Sequence, residues 1–429
     1  MIRYIDLFAG MGGIRLGLVQ ACADAGIDTE CVFTSEIKPA AIAVYNQNHP
    51  NEHITGDITA VNENDIPDFD VLLAGFPCQA FSYAGNRDGF ADATRGTLFF
   101  DVLRILNKKK PIGFILENVE GLVSHDNGRT FNTIVSCLEE NYKVSYRVLN
   151  AKDFGVPQDR KRIYIVGVKK NKRKVNMNNF YHVDATVGDI LEHGLPLSNT
   201  KFVQNLLSHY DVTQLDGKKI KDKRGGADNI HSWDIELKGP VSDDQKKLLN
   251  EMLKARRQHK WAEEWGIEWM DGMPLTTSQI RTFYQHPHLQ QMLNDLTSKG
   301  YLTYEHPKKK VVTHAVVDGR NVTTARRTPD TSKPKGYNIV AGKLSFEVSE
   351  ILSYNGIAPT MVAMDMHRIH VIDGEGIRPL SLREGLRLFG YPDDFIFDIP
   401  TKDGYDLLGN TVVVPVIKAV ATRLINSII

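Results

Sequence analysis

The segment Tyr4-Ile5-Asp6-Leu7-Phe8-Ala9-Gly10-Met11-Gly12-Gly13 decides the fold class of this 429-residue chain. Its first residues are typical of a buried strand, and a helical pattern follows from Gly13 to Ala25. Glycines in a first strand-to-helix turn let a ligand approach the backbone at the N-terminus of the helix. The spacing is FxGxG rather than the dinucleotide pattern GxGxxG, so the turn predicts an α/β fold with a ligand site of another kind.

Strands and helices alternate through residues 1–168, which predicts a mostly parallel sheet with helices on both faces. The strand candidates are Tyr4–Phe8, Glu30–Ser35, Val71–Ala74, Gly113–Leu116, Ser145–Leu149 and Arg162–Val168. The helical patterns are Gly13–Ala25, Pro39–Asn48, Gly96–Asn107 and Gly128–Asn141. The alternation stops at about Lys169 and returns after about Gly374, so residues 169–375 are predicted to be an insertion with its own small core.

Composition is ordinary for a globular protein, with 42% hydrophobic and 24% charged residues. No run of 18 apolar residues occurs and the N-terminus lacks the regions of a signal peptide, so we expect a cytoplasmic protein without a membrane span. The four cysteines are scattered without a CxxC pair, which argues against a disulfide framework and a zinc site and fits a reducing cytosol. They are Cys22, Cys31, Cys78 and Cys137.

Formal charge is zero overall but unevenly distributed along the chain. Residues 170–345 contain 28 Lys and Arg against 20 Asp and Glu, and the remainder contains 24 against 32. The excess of basic residues in 170–345 favours a polyanionic partner for that part of the chain. A basic surface that is only solvated would also give an excess of this modest size.

The insertion contains a pattern similar to a winged helix-turn-helix. Helical patterns cover Asp243–Ala255, a segment beginning at Pro274, and His288–Ser298, and a strand follows Lys299-Gly300. A helical subdomain without a binding role explains the pattern equally well.

After the insertion, a helix is predicted over Pro379–Phe389, with Ser381 as N-cap and Glu384 at the capping-box spacing. The segment Gly409-Asn410-Thr411-Val412 is predicted to open a last helix that ends at Ile428.

Two carboxylates follow the glycine turn in an order that suits a nucleoside. Glu36 ends the second strand, where a carboxylate accepts hydrogen bonds from ribose hydroxyls. Asp57, in Gly56-Asp57-Ile58, is placed to meet an adenine amino group. The turn and both carboxylates together predict a nucleoside-bearing cofactor without a pyrophosphate, whereas the turn alone is also compatible with a purely structural role.

A thiol, a carboxyl group and two guanidinium groups are predicted to meet at one sheet edge. Cys78 follows the strand Val71–Ala74 in Gly75-Phe76-Pro77-Cys78-Gln79-Ala80-Phe81-Ser82, and a thiolate there is a nucleophile. Glu117 ends the next sheet strand, and Gln158-Asp159-Arg160-Lys161-Arg162 precedes another. Attack on an electron-poor ring, with protonation of that ring, is the chemistry that needs this set. The eight residues Gly75–Ser82 alone are also compatible with a Cys78 that is buried and inert.

Nine ordered segments resemble the bacterial DNA (cytosine-5)-methyltransferases of restriction–modification systems. The resemblance covers residues 1–168 and about 376–429 and implies a Rossmann-like methyltransferase domain that uses S-adenosylmethionine, with a target-recognition domain at 169–375. The segments are Asp6–Gly13, Ser35-Glu36, Gly56–Ile58, Gly75–Gln79, Gly96–Phe100, Glu117–Val119, Gln158-x-Arg160-x-Arg162, Arg378–Glu384 and Gly409–Val412.

The resemblance implies a role for each catalytic residue. Cys78 as thiolate adds to C6 of a flipped-out cytosine, and Glu117 hydrogen-bonds its N3 and N4 edge. Arg162 holds O2, while Arg160 orients the carboxylate and helps to keep Cys78 ionised. Asn118 is expected to brace the loop that carries Cys78.

The resemblance also implies where the cofactor and the DNA bind. The cofactor lies on the turn of Phe8, Ala9, Gly10 and Gly12. Glu36 and Ile37 meet its ribose and adenine, Asp57 and Ile58 read the adenine edge, and Leu98 closes the pocket. Pro77, Asn410 and Val412 complete this cofactor set. Residues 80–95 suit a lid over DNA, with Gln79, Ser82 and Arg87 as expected DNA contacts.

Other functions stay open at this point. An RNA (tRNA) cytosine-5 methyltransferase shares the fold but has a short recognition region, whereas this insertion spans roughly 200 residues. A DNA-binding regulator without activity is disfavoured by the intact Cys78, Glu117, Arg160 and Arg162. The expected partners are double-stranded DNA and, functionally, a cognate restriction endonuclease. The expected state is a monomer that needs no metal and no membrane.

Overall fold

The computed structural model describes residues 1–77, 98–223, 225–317, 320–340 and 346–429, with backbone only at 314–317 and 320–325. The chain divides into two compact units. Unit 1 comprises Met1–His193, Ser353–His367 and Leu380–Ile429, and unit 2 comprises Gly194–Leu352 and Arg368–Pro379. Residues 169–193 and 353–367 of the predicted recognition domain therefore pack within unit 1. Cys78, Gln79, Ser82 and Arg87 lie outside the described residues.

Unit 1 is built on a seven-stranded sheet with the order β3-β2-β1-β4-β5-β7-β6. Its strands are β1 (Ile2–Leu7), β2 (Thr29–Ser35), β3 (Ile54–Thr55), β4 (Val71–Gly75), β5 (Gly113–Val119), β6 (Tyr142–Asn150) and β7 (Lys161–Lys169). Every neighbouring pair is parallel except those made by β7, which runs antiparallel to both β5 and β6. The prediction of a mostly parallel α/β sheet is therefore confirmed.

Helices cover both faces of this sheet, as the alternation predicted. The helices of unit 1 are α1 (Gly13–Asp24), α2 (Pro39–Asn48), α3 (Leu98–Lys109), α4 (Gly121–Ser124), α5 (Arg129–Glu139), α11 (Leu382–Leu388), α12 (Thr401–Asn410) and α13 (Val414–Ile428), with α6 to α10 in unit 2. The apolar sides of α3 and α5 join the main core, and α13 packs on α1, β5 and β7. Glycine permits the close approach of α1 and α13, because a Cβ at Gly17 would lie 2.5 Å from Ile417 Cγ2.

The C-terminal part confirms one predicted helix and corrects another. Ser381 caps α11, and its hydroxyl and the Glu384 side chain form the predicted capping box. The segment Gly409–Val412 was expected to open the last helix, but Gly409 and Asn410 end α12, and α13 begins only at Val414. Pro415 explains the later start, because proline is favoured in the first helical turn, where its missing N–H costs nothing.

Helices α12 and α13 together have the length and apolar composition of a membrane span, over Thr401–Ile428. Just over half of the most apolar window is buried inside the protein. Because core helices of globular proteins meet the same criterion, the stretch is weak evidence for a membrane span.

Unit 2 contains two hydrophobic cores. The first lies under helix α6 (Lys201–His209) and a five-stranded sheet with the order β16-β15-β14-β8-β9. These strands are β8 (Lys219–Ile220), β9 (Asn229–Ile230), β14 (Glu350–Ile351), β15 (Ile369–Asp373) and β16 (Gly376–Pro379).

The second core of unit 2 is mainly helical. Its elements are α7 (Asp243–Ala255), α8 (Lys260–Trp265), α9 (Thr277–Arg281), α10 (Leu289–Ser298), β10 (Leu302–Glu305) and β13 (Gly336–Ile339). Strands β10 and β13 pair antiparallel, and a long hairpin of β11 (Lys308–Val317) and β12 (Arg320–Pro329) connects them. The helix predicted over Asp243–Ala255 is confirmed at both ends.

Candidate active site

Glu117 and Arg162 meet at one edge of the seven-stranded sheet. Glu117 lies near the end of β5 and Arg162 near the start of β7, and Val119 pairs with Arg162 in the register of the two strands. Because β7 is antiparallel to β5, its beginning reaches the same edge as the end of β5. Arg162 Nε lies 3.4 Å from Glu117 Oε1. A fully parallel sheet would have put this arginine at the opposite edge.

The Glu117 carboxyl group is shielded from water, with only 11% of its side chain exposed. Burial raises the pKa of Glu117, while the positive charges of Arg162 and Arg160 act in the opposite direction. The net result is a carboxyl group that holds its proton more readily than a carboxyl group in water. Such a group can donate a hydrogen bond to a ring nitrogen.

The end of β4 lies directly beside Glu117. Asn118 Nδ2 donates a 2.7 Å hydrogen bond to the carbonyl oxygen of Phe76. Gly75 adjoins the acid, and a Cβ at this position would meet Glu117 Oε2 at 3.6 Å, an ordinary contact distance. Pro77 is exposed and is the last described residue before Cys78.

Arg160 is buried and binds main-chain carbonyl groups. Its Nη1 donates to Met361 O at 2.8 Å, and its Nη2 donates to Thr411 O at 2.9 Å and Gly409 O at 3.3 Å. The guanidinium also lies over the Phe389 ring, 5.1 Å from its centroid. Burial lowers the pKa of Arg160 to about 10. These contacts join the start of β7 to two distant segments, and Arg160 acts on Glu117 through its charge.

A cavity of about 430 Å³ opens beside Arg162. Its lining comprises Val119, Glu120, Gly121, Asp159, Lys161, Arg162, Pro359 and Thr360. The sequence interpretation missed Pro359 and Thr360, which lie about 200 residues from Asp159. The two segments are joined by Thr360 Oγ1, which donates to Asp159 O at 2.5 Å, and by backbone hydrogen bonds of Ala358. The spacing of these residues along the chain does not predict this packing.

The glycine turn after β1 has the backbone conformation that a close ligand contact requires. Phe8 and Gly10 both have φ 55°, and Gly12, the N-cap of α1, has φ 83°. A Cβ at Gly10 would meet no atom within 4 Å, so its surface is open. Ala9 is nearly buried and its N–H donates to Ser35 O at 3.1 Å. The free N–H groups at the start of a helix favour a negatively charged ligand.

Glu36 fixes this turn from the end of β2. Its Oε2 accepts a hydrogen bond from Gly10 N, and its Oε1 accepts from Ile37 N and Lys38 N, each at 2.8 Å. Each carboxylate oxygen has two lone pairs, so these bonds leave room for a hydroxyl ligand.

Beneath the turn, Asp6 is fully buried, and neither of its carboxyl oxygens has a hydrogen-bond partner among the described residues. Burial raises the pKa of Asp6 well above its usual range. A buried group without a partner is expensive unless a ligand satisfies it. Together, the open turn, the helix N-terminus and Asp6 fit the amino-acid end of an adenosyl cofactor.

The other predicted cofactor residues differ in their exposure and contacts. Asp57 is exposed and accepts hydrogen bonds from the amide and hydroxyl of Thr59, which lower its pKa. Ile37 is 70% exposed, whereas Ile58 belongs to the main core. Val412 approaches α1, since a Cβ at Gly13 would lie 2.8 Å from Val412 Cγ2. The remaining two residues are Leu98, half-buried at the start of α3, and Asn410, exposed at the end of α12.

Comparisons with known proteins agree with this geometry. A family model described as C-5 cytosine-specific DNA methylase matches residues 2–426. The Type II methyltransferase M.NlaIV of Neisseria lactamica is 58% identical, covering 100% of this chain and 99% of that protein. M.NgoBV of Neisseria gonorrhoeae is 56% identical with the same coverage. A prophage-encoded DNA modification methyltransferase of E. coli, 20% identical, has the same fold, with a TM-score of 0.53 over 100% of this chain and 99% of that one.

The family match spans both units, and it includes the glycine turn after β1 and the sheet edge at which Glu117 meets Arg162. The resemblance inferred from nine short segments is therefore confirmed over nearly the whole chain. This chain belongs to the C-5 cytosine-specific DNA methylases.

Proposed function

We propose that this protein transfers a methyl group from S-adenosylmethionine to C5 of a cytosine within a specific short sequence of double-stranded DNA. The family match over residues 2–426 carries the proposal, and the Glu117–Arg162 pair, whose arginine lines the 430 Å³ cavity, supports it. The names of the Type II relatives support a role in a restriction–modification system, where methylation protects DNA from a cognate endonuclease. We further propose that the protein acts as a monomer in the cytoplasm.

The target base must leave the duplex, because C5 and C6 of a stacked cytosine cannot be reached. We assign the cavity beside Arg162 to the flipped base. Arg162 donates a hydrogen bond to O2, and Glu117 in its protonated form donates to N3. Both contacts strengthen as electron density moves onto the ring, so they stabilise the transition state more than the bound base.

Cys78 is the proposed nucleophile. Its thiolate sulfur forms a bond to C6, the C5–C6 π electrons move to C5, and N3 takes up the Glu117 proton. S-adenosylmethionine, when bound, supplies an electrophilic methyl group to C5, and the S–CH3 bond breaks to leave S-adenosylhomocysteine. A base then removes the C5 proton, the C6–S bond breaks, the ring regains its double bond, and Cys78 leaves as thiolate while Glu117 recovers its proton.

The proposed cofactor contacts follow from the geometry of the turn. Gly10 and Gly12 present the open backbone, and Phe8 and Ala9 shape its rim. Glu36 accepts a hydrogen bond from a ribose hydroxyl, and Asp57 accepts one from the adenine amino group. The other proposed contacts are Ile37, Ile58, Pro77, Leu98, Asn410 and Val412.

We propose that the inserted residues 169–375 provide target recognition, with Gln79, Ser82, Arg87 and Asn118 contributing near the base. The excess of basic residues between 170 and 345 supports this assignment, because phosphate neutralisation dominates affinity for DNA.

Bisulfite sequencing of plasmid DNA from cells that express the protein tests the function. We expect protected cytosines at one position of one recurring short motif. The Cys78→Ala variant is the control and should protect none. Absence of protection by the wild-type protein, with RNA methylated instead, would assign the chain to RNA. Absence of both activities with retained DNA binding would make it a regulator.

A further inference from the structure

The second core of unit 2 has the element order of a winged helix. Helices α7 and α8 are followed by Leu275, which pairs with Tyr337 of β13 through Leu275 N to Tyr337 O at 2.9 Å and the reverse bond at 2.7 Å. Helices α9 and α10, strand β10, the β11–β12 hairpin and β13 then follow. Strands β10 and β13 thus form a two-stranded sheet, and Leu275 adds an isolated bridge on the other side of β13. This order resembles a winged helix with one additional helix, α8.

Helix α10 separates an apolar face from a polar face. The apolar face buries Leu289, Met292, Leu293 and Leu296 in the core. The opposite face exposes Gln290, Gln291, Asn294 and Ser298. An exposed helix face rich in amides suits base recognition, because Gln and Asn can make paired hydrogen bonds to the edge of adenine.

Hydrogen bonds hold part of this polar face in place. Gln290 Nε2 donates to Tyr337 Oη at 2.7 Å and to Asn294 Oδ1 at 3.0 Å, and Gln290 Oε1 accepts from Thr277 Oγ1 at 3.0 Å. Asp295, the acidic residue of this helix, pairs instead with Lys299 at 2.7 Å. Gln291 is exposed beside this fixed cluster.

The β11–β12 hairpin adds a basic arm to the helix. Its two ten-residue strands are paired from Lys308–Pro329 to Val317–Arg320 and extend roughly 30 Å at the usual rise per residue. Residues 306–335 contain eight basic and two acidic residues. The basic ones are Lys308, Lys309, Lys310, Arg320, Arg326, Arg327, Lys333 and Lys335, and the acidic ones are Asp318 and Asp330.

The two faces of the hairpin differ in their partners. Lys310 and Arg327 are opposite each other, and both approach Glu268, at 3.7 and 3.9 Å. Lys309 lies on the other face with Arg326, the partner of Val311, and both are exposed. Lys309 Nζ also pairs with Asp330 Oδ1 at 3.5 Å. Arg326, together with the Lys309 side chain, which stays 54% exposed beside Asp330, offers positive charge on this face to an outside partner.

We propose that α10 enters the major groove of the target DNA, where Gln291 reads a base edge, and that the Lys309 and Arg326 face of the hairpin lies along the sugar–phosphate backbone. This inference rests on the proposed function, since it names the surface that selects the DNA sequence. A helix in the groove flanked by a basic hairpin matches the charge and dimensions of duplex DNA.

Two full-length variants and two matched controls test the proposal. The variants are Gln291→Ala and the double substitution Lys309→Ala with Arg326→Ala. The controls are Gln258→Ala, an exposed amide outside α10, and Lys247→Ala with Lys254→Ala, two exposed lysines of α7. Thermal unfolding of each protein checks that the fold is kept.

Fluorescence anisotropy with a labelled duplex, measured between 50 and about 200 mM salt, tests the hairpin. The hairpin variant should bind all duplexes more weakly, and its plot of log affinity against log salt should be shallower by about one to two. The lysine control should keep the wild-type slope. A wild-type slope in the hairpin variant would overturn this half of the proposal.

Methylation of the wild-type motif and of each single-base variant of that motif tests Gln291. The Gln291→Ala protein should lose roughly 5- to 150-fold of discrimination at one base pair and keep it elsewhere. Unchanged discrimination at every position would overturn the role of α10. If the wild-type protein methylates no DNA, the proposed function fails, but the salt slope still decides whether the hairpin binds duplex DNA.

Discussion

Arg162 Nε lies 3.4 Å from Glu117 Oε1 across two antiparallel strands at the edge of an otherwise mostly parallel sheet. The single reversed strand β7 brings a guanidinium group to the edge at which the ends of β4 and β5 already lie. The carboxyl group is buried enough that its pKa is raised in spite of this neighbour. The pair thus combines a proton donor with a cation beside the proposed base pocket.

Replacing Glu117 with Gln should separate activity from stability. Methyl transfer should fall roughly 10²- to 10⁴-fold, because the amide can donate a hydrogen bond but cannot deliver a proton to N3. Incorporation of labelled methyl groups into DNA measures this loss. A variant with wild-type activity would contradict the proposed role of the acid.

The same variant should be more stable than the wild-type protein at pH 8. Folding raises the pKa of Glu117 above its usual 4.5, so the ionised carboxylate destabilises the fold above that pH. The stability difference should be absent below pH 4.5, grow as the pH rises through the folded pKa, and then stay constant. Thermal unfolding of both proteins across pH 4 to 8 measures it, with Asp65→Asn, an exposed carboxylate, as control.

Arg160 and Arg162 should respond differently to replacement by Met. Loss of Arg160 leaves carbonyl groups of Met361 and Thr411 without a charged donor, so unfolding free energy should fall by about 3 to 5 kcal/mol. Loss of Arg162 should cost less than about 1 kcal/mol, because Glu117 can take up a proton, yet methyl transfer should fall roughly 10²-fold or more. Urea denaturation beside activity distinguishes them, and equal stability losses would contradict the assignment.

The sequence predicted the parts of this site that follow regular strands. Glu117 was found because it ends a buried strand, and the glycine turn because it joins β1 to α1. The sequence did not show why Arg160 is buried, since its acceptors Met361 and Thr411 are about 200 and 250 residues away. Pro359 was missed for the same physical reason: packing between distant segments leaves no periodicity in either one.

Cysteine reactivity provides a test of Cys78 against the other thiols. Burial raises the pKa of Cys22 and Cys31 to about 11 and raises that of Cys137. Almost none of these thiols is ionised at neutral pH, so they should react slowly. Iodoacetamide at pH 7.5 should therefore modify Cys78 first, in step with loss of activity, as read by peptide mass spectrometry. Target DNA should protect Cys78, whereas earlier labelling of Cys137 would contradict its assignment as the activated nucleophile.

Replacing Gly17 with alanine tests the packing of α1 against α13, which sets the position of the glycine turn. A Cβ at this position would lie 2.5 and 2.6 Å from two atoms of Ile417 and 2.9 Å from the backbone nitrogen of Lys418. Alanine normally favours a helix by about 1 kcal/mol over glycine, but here the overlap should dominate and lower stability by roughly 1 to 3 kcal/mol.

The expected readouts for Gly17→Ala are a lower urea midpoint and a weaker affinity for S-adenosylmethionine, because α13 would push α1 and its glycine turn out of place. Gly121→Ala is the matched control for stability, since a Cβ there would meet no atom within 4 Å and its φ is not positive. That variant should stay within about 0.5 kcal/mol of the wild-type protein. If Gly17→Ala were equally stable, the contact between α1 and α13 would have to be looser than the structure shows, and the position of the turn could not depend on it.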